Sequence, residues 1–176
     1  MKAFKKICTA LMLLAFAFVF ASCSSDSDDD DDQSITLSDG DYTLAITRGV
    51  FKYDIKATAS NGSWTFNSGS KTKTVDLTTQ MKTDELEKFN GMNDDAKKAK
   101  IRKEMELSDD AEISFDDNKV IVKTTLSAAE LTEMQENYQL SSIPSDAKIE
   151  TITDNTEYVI TMSGEDGTIV FHVNKV

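Results

Sequence analysis

Few side chains in this sequence could do chemistry, and their spacing narrows the choice further. The one histidine, His172, stands between Phe171 and Val173 in an alternating stretch, so its imidazole points away from theirs. A lone imidazole cannot hold a transition metal without carboxylate help. As a general base it needs an acid and a substrate pocket, neither of which the sequence locates. It reads as an exposed or hydrogen-bonded strand residue. No serine stands in a G-x-S-x-G context, and Gly62-Ser63-Trp64 and Gly69-Ser70 read as turns. The carboxylate pairs Asp94/Asp95, Asp109/Asp110 and Asp116/Asp117 fall at helix starts and turns. A glycosidase pair must face one cleft about 5–9.5 Å apart, and sequence neighbours on a strand point to opposite faces. No glycine-rich phosphate loop is present. The expectation is a protein that is not an enzyme and carries no cofactor or metal.

Trp64, with Phe66 two residues on, is the best binding candidate. An indole flanked by Asn61 and Asn67 could stack on a sugar ring or a peptide. The competing reading is a core anchor. An exposed indole would support the first, a buried one the second.

The two cysteines belong to a different chemistry. Lys2, Lys5 and Lys6 precede an uncharged apolar run, Ile7 to Ala21. Fifteen residues are short of the roughly 20 that span a bilayer, but they fit the apolar core of a secretory signal peptide. The run ends in Phe20-Ala21-Ser22-Cys23. This string resembles the lipobox of bacterial lipoproteins. The resemblance implies a signal peptide over residues 1–22, cleavage before Cys23, and acyl chains on its sulfur and new amine. One chain anchors marginally and two or more hold firmly, since each buried methylene contributes about 0.8 kcal/mol. Cys8 would leave with the signal peptide and Cys23 would become a thioether. The mature chain would then have neither free thiol nor disulfide.

Beyond Cys23, residues 26–32 hold six aspartates in seven positions. Such a segment cannot pack and must stay solvated. Residues 23–33 therefore read as a lipidated cysteine and an acidic tether, and at about 3.3 Å per residue the stretch 24–34 could reach roughly 35 Å. Acidic tracts just after a lipidated cysteine resemble the export signal by which some Gram-negative bacteria place lipoproteins on the cell exterior. A calcium loop is the other reading of Asp26, Asp28 and Asp30. Its sixth position holds Asp31 instead of glycine and its twelfth holds Leu37 instead of Glu.

The whole chain of 176 residues carries 19 basic and 31 acidic side chains, a formal net charge of −12. This balance argues against nucleic acid, which needs clustered Lys and Arg. The dense basic group, Lys97, Lys98, Lys100, Arg102 and Lys103, reads as a solvated helix face.

Positioning falls to short elements. Tyr42/Leu44/Ile46 and Phe51/Tyr53/Ile55 alternate as half-buried strands. Asn61-Gly62 predicts a hairpin, and Ser68-Gly69-Ser70 predicts a turn between the Trp64 strand and a further strand over 71–77. Thr83 and Asn93 are candidate helix caps. Asp116-Asp117-Asn118 predicts another hairpin. Ser127-Ala-Ala-Glu130 is a capping box, with Leu126 and Leu131 placed as a hydrophobic staple. Strands return over 148–153, 158–162 and 169–173. The predicted fold is α+β: an antiparallel meander of about nine short strands with two or three helical segments, in one domain over 34–176. The expected function is a lipid-anchored, surface-exposed lipoprotein of the outer membrane, its domain a non-enzymatic binding or structural module for an extracellular protein or glycan. A lipocalin-like barrel for a small apolar ligand and an enzyme or enzyme accessory are the alternatives.

Overall fold

The computed structural model describes residues 33–141, 143–164 and 167–176. The signal segment, Cys23 and the aspartate tract lie outside them. Eight strands form an open antiparallel sheet in the order β4-β5-β3-β2-β1-β8-β7-β6. The strands are β1 (Gly40–Arg48), β2 (Phe51–Ser60), β3 (Ser63–Asp76), β4 (Glu112–Asp116), β5 (Lys119–Thr125), β6 (Lys148–Thr153), β7 (Glu157–Gly164) and β8 (Gly167–Lys175). Among the described residues, three helices accompany them: α1 (Thr83–Asn90), α2 (Asp94–Glu104) and α3 (Ala128–Asn137). The α+β class stands. The order begins at β4 and ends at β6, so the sheet does not close as a lipocalin barrel requires.

Eight strands replace the expected nine because Ser68-Gly69-Ser70 is not a turn. β3 runs through it unbroken for 14 residues. Glycine is needed there for proximity. A Cβ on Gly69 would stand 2.9 Å from Leu126 Cδ1 and 3.0 Å from the Asp54 carbonyl oxygen. The Leu126 N–H donates to the Gly69 carbonyl at 2.9 Å, fixing that approach. A strand glycine can mark a close backbone approach as well as a bend.

The described residues fall into two compact units. One comprises 33–72 and Thr125–Val176. Its strands alternate as their sequences predict: Tyr42, Leu44 and Ile46 are buried while Thr43 and Thr47 are exposed. Asn61 (φ 53°) and Gly62 (φ 76°) make the two-residue β2–β3 hairpin, since both tolerate a left-handed backbone. α3 starts at the Ser127 capping box, with both reciprocal hydrogen bonds formed. Leu126 and Leu131 are buried on either side of that cap. Gln33 was read as tether but belongs to the fold. Its backbone bridges Ile143 in both directions at 2.9 Å. Its Nε2 donates to the carbonyls of Pro144 (3.3 Å), Ser145 (2.8 Å) and Ala147 (2.9 Å).

The other unit, Lys73–Thr124, packs Phe89 of α1 and Ile101 of α2 with Leu77, Ile113, Val120 and Val122. Asn93 caps α2 by accepting the Ala96 N–H at 2.9 Å. Thr83 is the first helical residue of α1; the cap position is Lys82, which makes no side-chain cap bond. Asp117 takes φ 49° in the β4–β5 hairpin. The Lys-rich face of α2 is only partly solvated. Lys97 Nζ lies 5.9 Å from the Phe89 ring centre and 5.7 Å from that of Phe115, and Lys100 Nζ lies 5.8 Å from Phe89. These ammonium groups roof the aromatic pair by cation–π attraction. Arg102 Nη2 donates to the Ala111 carbonyl at 3.0 Å.

Gly69→Ala should cost about 1–3 kcal/mol, as overpacking does. At Gly91 the nearest atom to an added Cβ is 3.5 Å away and the backbone is right-handed, so Gly91→Ala should be neutral or stabilise by up to about 1 kcal/mol. Urea unfolding of the two variants beside the parent chain checks the contrast.

Candidate functional site: the uncovered sheet face

In the unit of 33–72 and Thr125–Val176, one sheet face is dry. Trp64 and Phe66 lie on it, each 6% exposed, with ring centres 5.2 Å apart. The Trp64 indole N–H donates to the Tyr138 carbonyl at 2.8 Å. The Phe66 N–H donates to Gln135 Oε1 at 2.9 Å. The Tyr138 ring meets Phe171 edge-on at 4.8 Å. The candidate binding pair is thus buried under α3 and the chain that follows it. The indole anchors that cover and offers no stacking surface to a ligand.

The opposite face is built by the other residue of each alternating pair. Registers align it into rows. Glu150, Val159, His172, Ala45 and Asp54 follow one another across β6, β7, β8, β1 and β2. Beside this row run Lys148, Thr161, Val170, Thr47 and Lys52. His172 is exposed in the middle strand of the first row, opposite to the buried Phe171 and Val173. Asn67 Nδ2 donates to Thr58 Oγ1 at 2.8 Å, and Thr58 Oγ1 donates to Asp41 Oδ1 at 2.9 Å, a polar chain across three strands. Lys52 Nζ pairs with Asp54 Oδ1 at 3.0 Å.

These rows present hydroxyls, an imidazole and both signs of charge around short aliphatic side chains, without a Phe, Tyr or Trp ring. A flat surface of this kind can align hydrogen bonds with another flat polar surface. It lacks the ring on which a sugar would stack. The signal was in the sequence, in the polar partners of each hydrophobic alternation. Which of them share a row depends on register, and register across β1–β8 joins distant segments.

Chemistry elsewhere is set by packing. Glu104, on α2, is held above the ordinary carboxylate range by burial first, against the pull of Lys100 and Lys103, and Glu85 adds repulsion. Its Oε2 and the Arg102 Nε are buried without a hydrogen-bond partner among the described residues. Among those residues, no three His, Cys, Asp or Glu side chains are grouped to hold a metal ion. No helix among them is long and apolar enough to cross a membrane. No protein-family model matches the chain, and comparison with curated proteins and with solved structures gives no match.

Tyr138 supplies a test of the buried face. Burial pushes its phenol up to about 12, against the lowering influence of Arg48. Burial likewise raises Tyr53. The folded state binds this proton more tightly than the unfolded chain, whose phenol titrates near 10. The contribution, about 2–3 kcal/mol, is whole below pH 10 and is lost as pH rises from 10 toward 12. Fluorescence of the single Trp64 should show a buried indole below pH 10, and the midpoint of urea unfolding should fall steeply above it. Tyr138→Phe should flatten that fall.

Proposed function

We propose that this chain is a lipid-anchored lipoprotein of the bacterial outer membrane, facing the cell exterior. Its domain acts as a non-enzymatic module that binds a macromolecular partner through the uncovered sheet face. The anchoring part rests on Lys2/Lys5/Lys6, the apolar run 7–21 and the Cys23 that ends it. The outward orientation rests on the aspartates of residues 26–32.

The observation that carries the binding part is the pair of residue rows across β6, β7, β8, β1 and β2. A sheet needs one face buried to be stable; the other is free to be used. This one places charge of both signs, hydroxyls and an imidazole in fixed register over five strands. Side chains on a hydrogen-bonded sheet are pre-organised, so little entropy is lost when they meet a partner. A surface without Phe, Tyr or Trp favours a protein partner over a glycan. Cysteine chemistry is excluded on this reading because Cys23 is a thioether and Cys8 is removed.

Cys23→Ala should abolish both processing and membrane association, and mass spectrometry of the native chain should find acyl chains on that sulfur. Protease added to intact cells should release the domain; full protection counts against the outward orientation. A photo-crosslinking residue at Val170 should capture one discrete protein partner on intact cells. The same probe at Glu136, exposed on α3, should not. Equal labelling from both positions would refute the assignment of the face.

A further inference from the structure

Among the described residues, the sheet order leaves β6 with one hydrogen-bonded neighbour, β7. An edge strand is a template for another strand, and proteins commonly guard it with charge or a bulge. Here Lys148 and Glu150 lie two residues apart on the uncovered face, aligned with Thr161 and Val159 of β7. The β6–β7 register shifts between Thr151 and Thr153. A bulge of this kind ends regular pairing, so the straight part of the edge is 148–151.

The charges make this edge complementary to itself in one register. Two antiparallel copies that continue one sheet about a two-fold axis must pair residues of the same parity, so that both present the same face. An axis through Lys148 would set Lys148 against Lys148. An axis through Glu150 would set Glu150 against Glu150. An axis through Thr151 would run into the bulge. An axis through Ile149 places Lys148 of each copy opposite Glu150 of the other, twice, with Ile149 against Ile149. Opposite charges facing directly across strands stabilise a pair, and like charges destabilise it.

We infer that the β6 edge is a docking site for a second copy of this chain, paired antiparallel about Ile149. The occupant is argued from charge: of the same-face registers open to the straight segment, only this one matches opposite signs. The contact is short, and two copies of a chain carrying −12 repel each other at long range. The association therefore belongs to the weak, transient class. It uses the sheet edge, not the face assigned above, and does not depend on the lipid anchor.

Disulfide trapping in the full-length chain tests the register. Ile149→Cys should give an oxidant-dependent dimer of the purified full-length chain that the parent chain, with its own cysteines, does not give. Lys148→Cys alone should crosslink far less, whereas Lys148→Cys and Glu150→Cys chains expressed together should crosslink to each other. In the Ile149→Cys background, Lys148→Glu or Glu150→Lys should each lower the dimer yield about tenfold, the effect of roughly 1.4 kcal/mol. The double exchange should restore it, which a merely misfolded variant would not do. No dimer from Ile149→Cys, equal trapping by Lys148→Cys alone, or failure of the double exchange would each overturn the proposal.

Discussion

The passage of β3 beside Leu126 is the constraint on which the larger unit depends. With a Cβ at Gly69, the strand would press on Leu126 Cδ1 at 2.9 Å and on the Asp54 carbonyl oxygen at 3.0 Å, beside the carbonyl that the Leu126 N–H reaches. Leu126 is the residue before the Ser127 cap. Fixing it fixes the start of α3, and the capping box fixes the direction in which α3 leaves. Lys71 of β3 then reaches Glu130 at 3.3 Å. Burial alone would raise the Glu130 carboxyl, but the bonds from Ser127 and Lys71 outweigh it and hold the group below its ordinary range. That stabilisation is present at neutral pH and fades as pH falls through the lowered value. At its far end α3 brings the Tyr138 carbonyl to the Trp64 indole and the Tyr138 ring to Phe171. One glycine therefore sets where the cover lies, and the cover decides which sheet face is dry.

The division of labour between the two faces follows from that cover. Once α3 and the stretch after it occupy one side, the inward Tyr42, Leu44 and Ile46 of β1, Tyr53 and Ile55 of β2, Ile160 of β7 and Phe171 of β8 are committed to packing. Every outward residue is released from it. The large aromatic side chains go to the packing side, where they supply most apolar area per residue. A chain expected to have no disulfide must draw its stability from this single-sided burial. The same economy explains why Trp64, the most attractive binding residue by type, is structural. Its ring fills volume, and its one N–H is spent where an unpaired carbonyl would otherwise be buried.

What the sequence made legible was local. The Asn61-Gly62 hairpin, the Asn93 cap and the Ser127 capping box each depend on two to four consecutive residues, and each formed as read. So did the alternation of Tyr42, Leu44 and Ile46. The misreadings have one cause in common: the deciding contact lies far along the chain. Ser68-Gly69-Ser70 has turn composition, and only Leu126, 57 positions on from Gly69, shows why the glycine is in a strand. Gln33 is continuous in polarity with the aspartates before it, yet its amide is held by carbonyls at 144–147. Trp64 could not be assigned to a face without knowing that α3 would return to it. Thr83 looked like a cap because threonine caps often, but Lys82 supplies the extended residue and the helix begins one place earlier in its turn.

On the proposed reading of residues 23–32 as a tether, the join at Gln33 has a mechanical consequence. Its two backbone bonds to Ile143 and the three carbonyls held by Nε2 make a clamp at the first described residue. Tension arriving along such a tether would be met at Gln33 by that set of bonds, acting together. The next main-chain link, the Ile35 N–H on the Leu140 carbonyl, stands two residues further in. Load is thus delivered to the 138–147 stretch that covers the dry face, and only through it to the strands. A clamp built from one amide side chain suits this place. Glutamine offers two N–H donors and no charge, so it reaches several backbone carbonyls, and follows the aspartates in sequence without adding a like charge to them. Glutamate at the same position would present only acceptors to those carbonyls, and the three side-chain bonds would be lost.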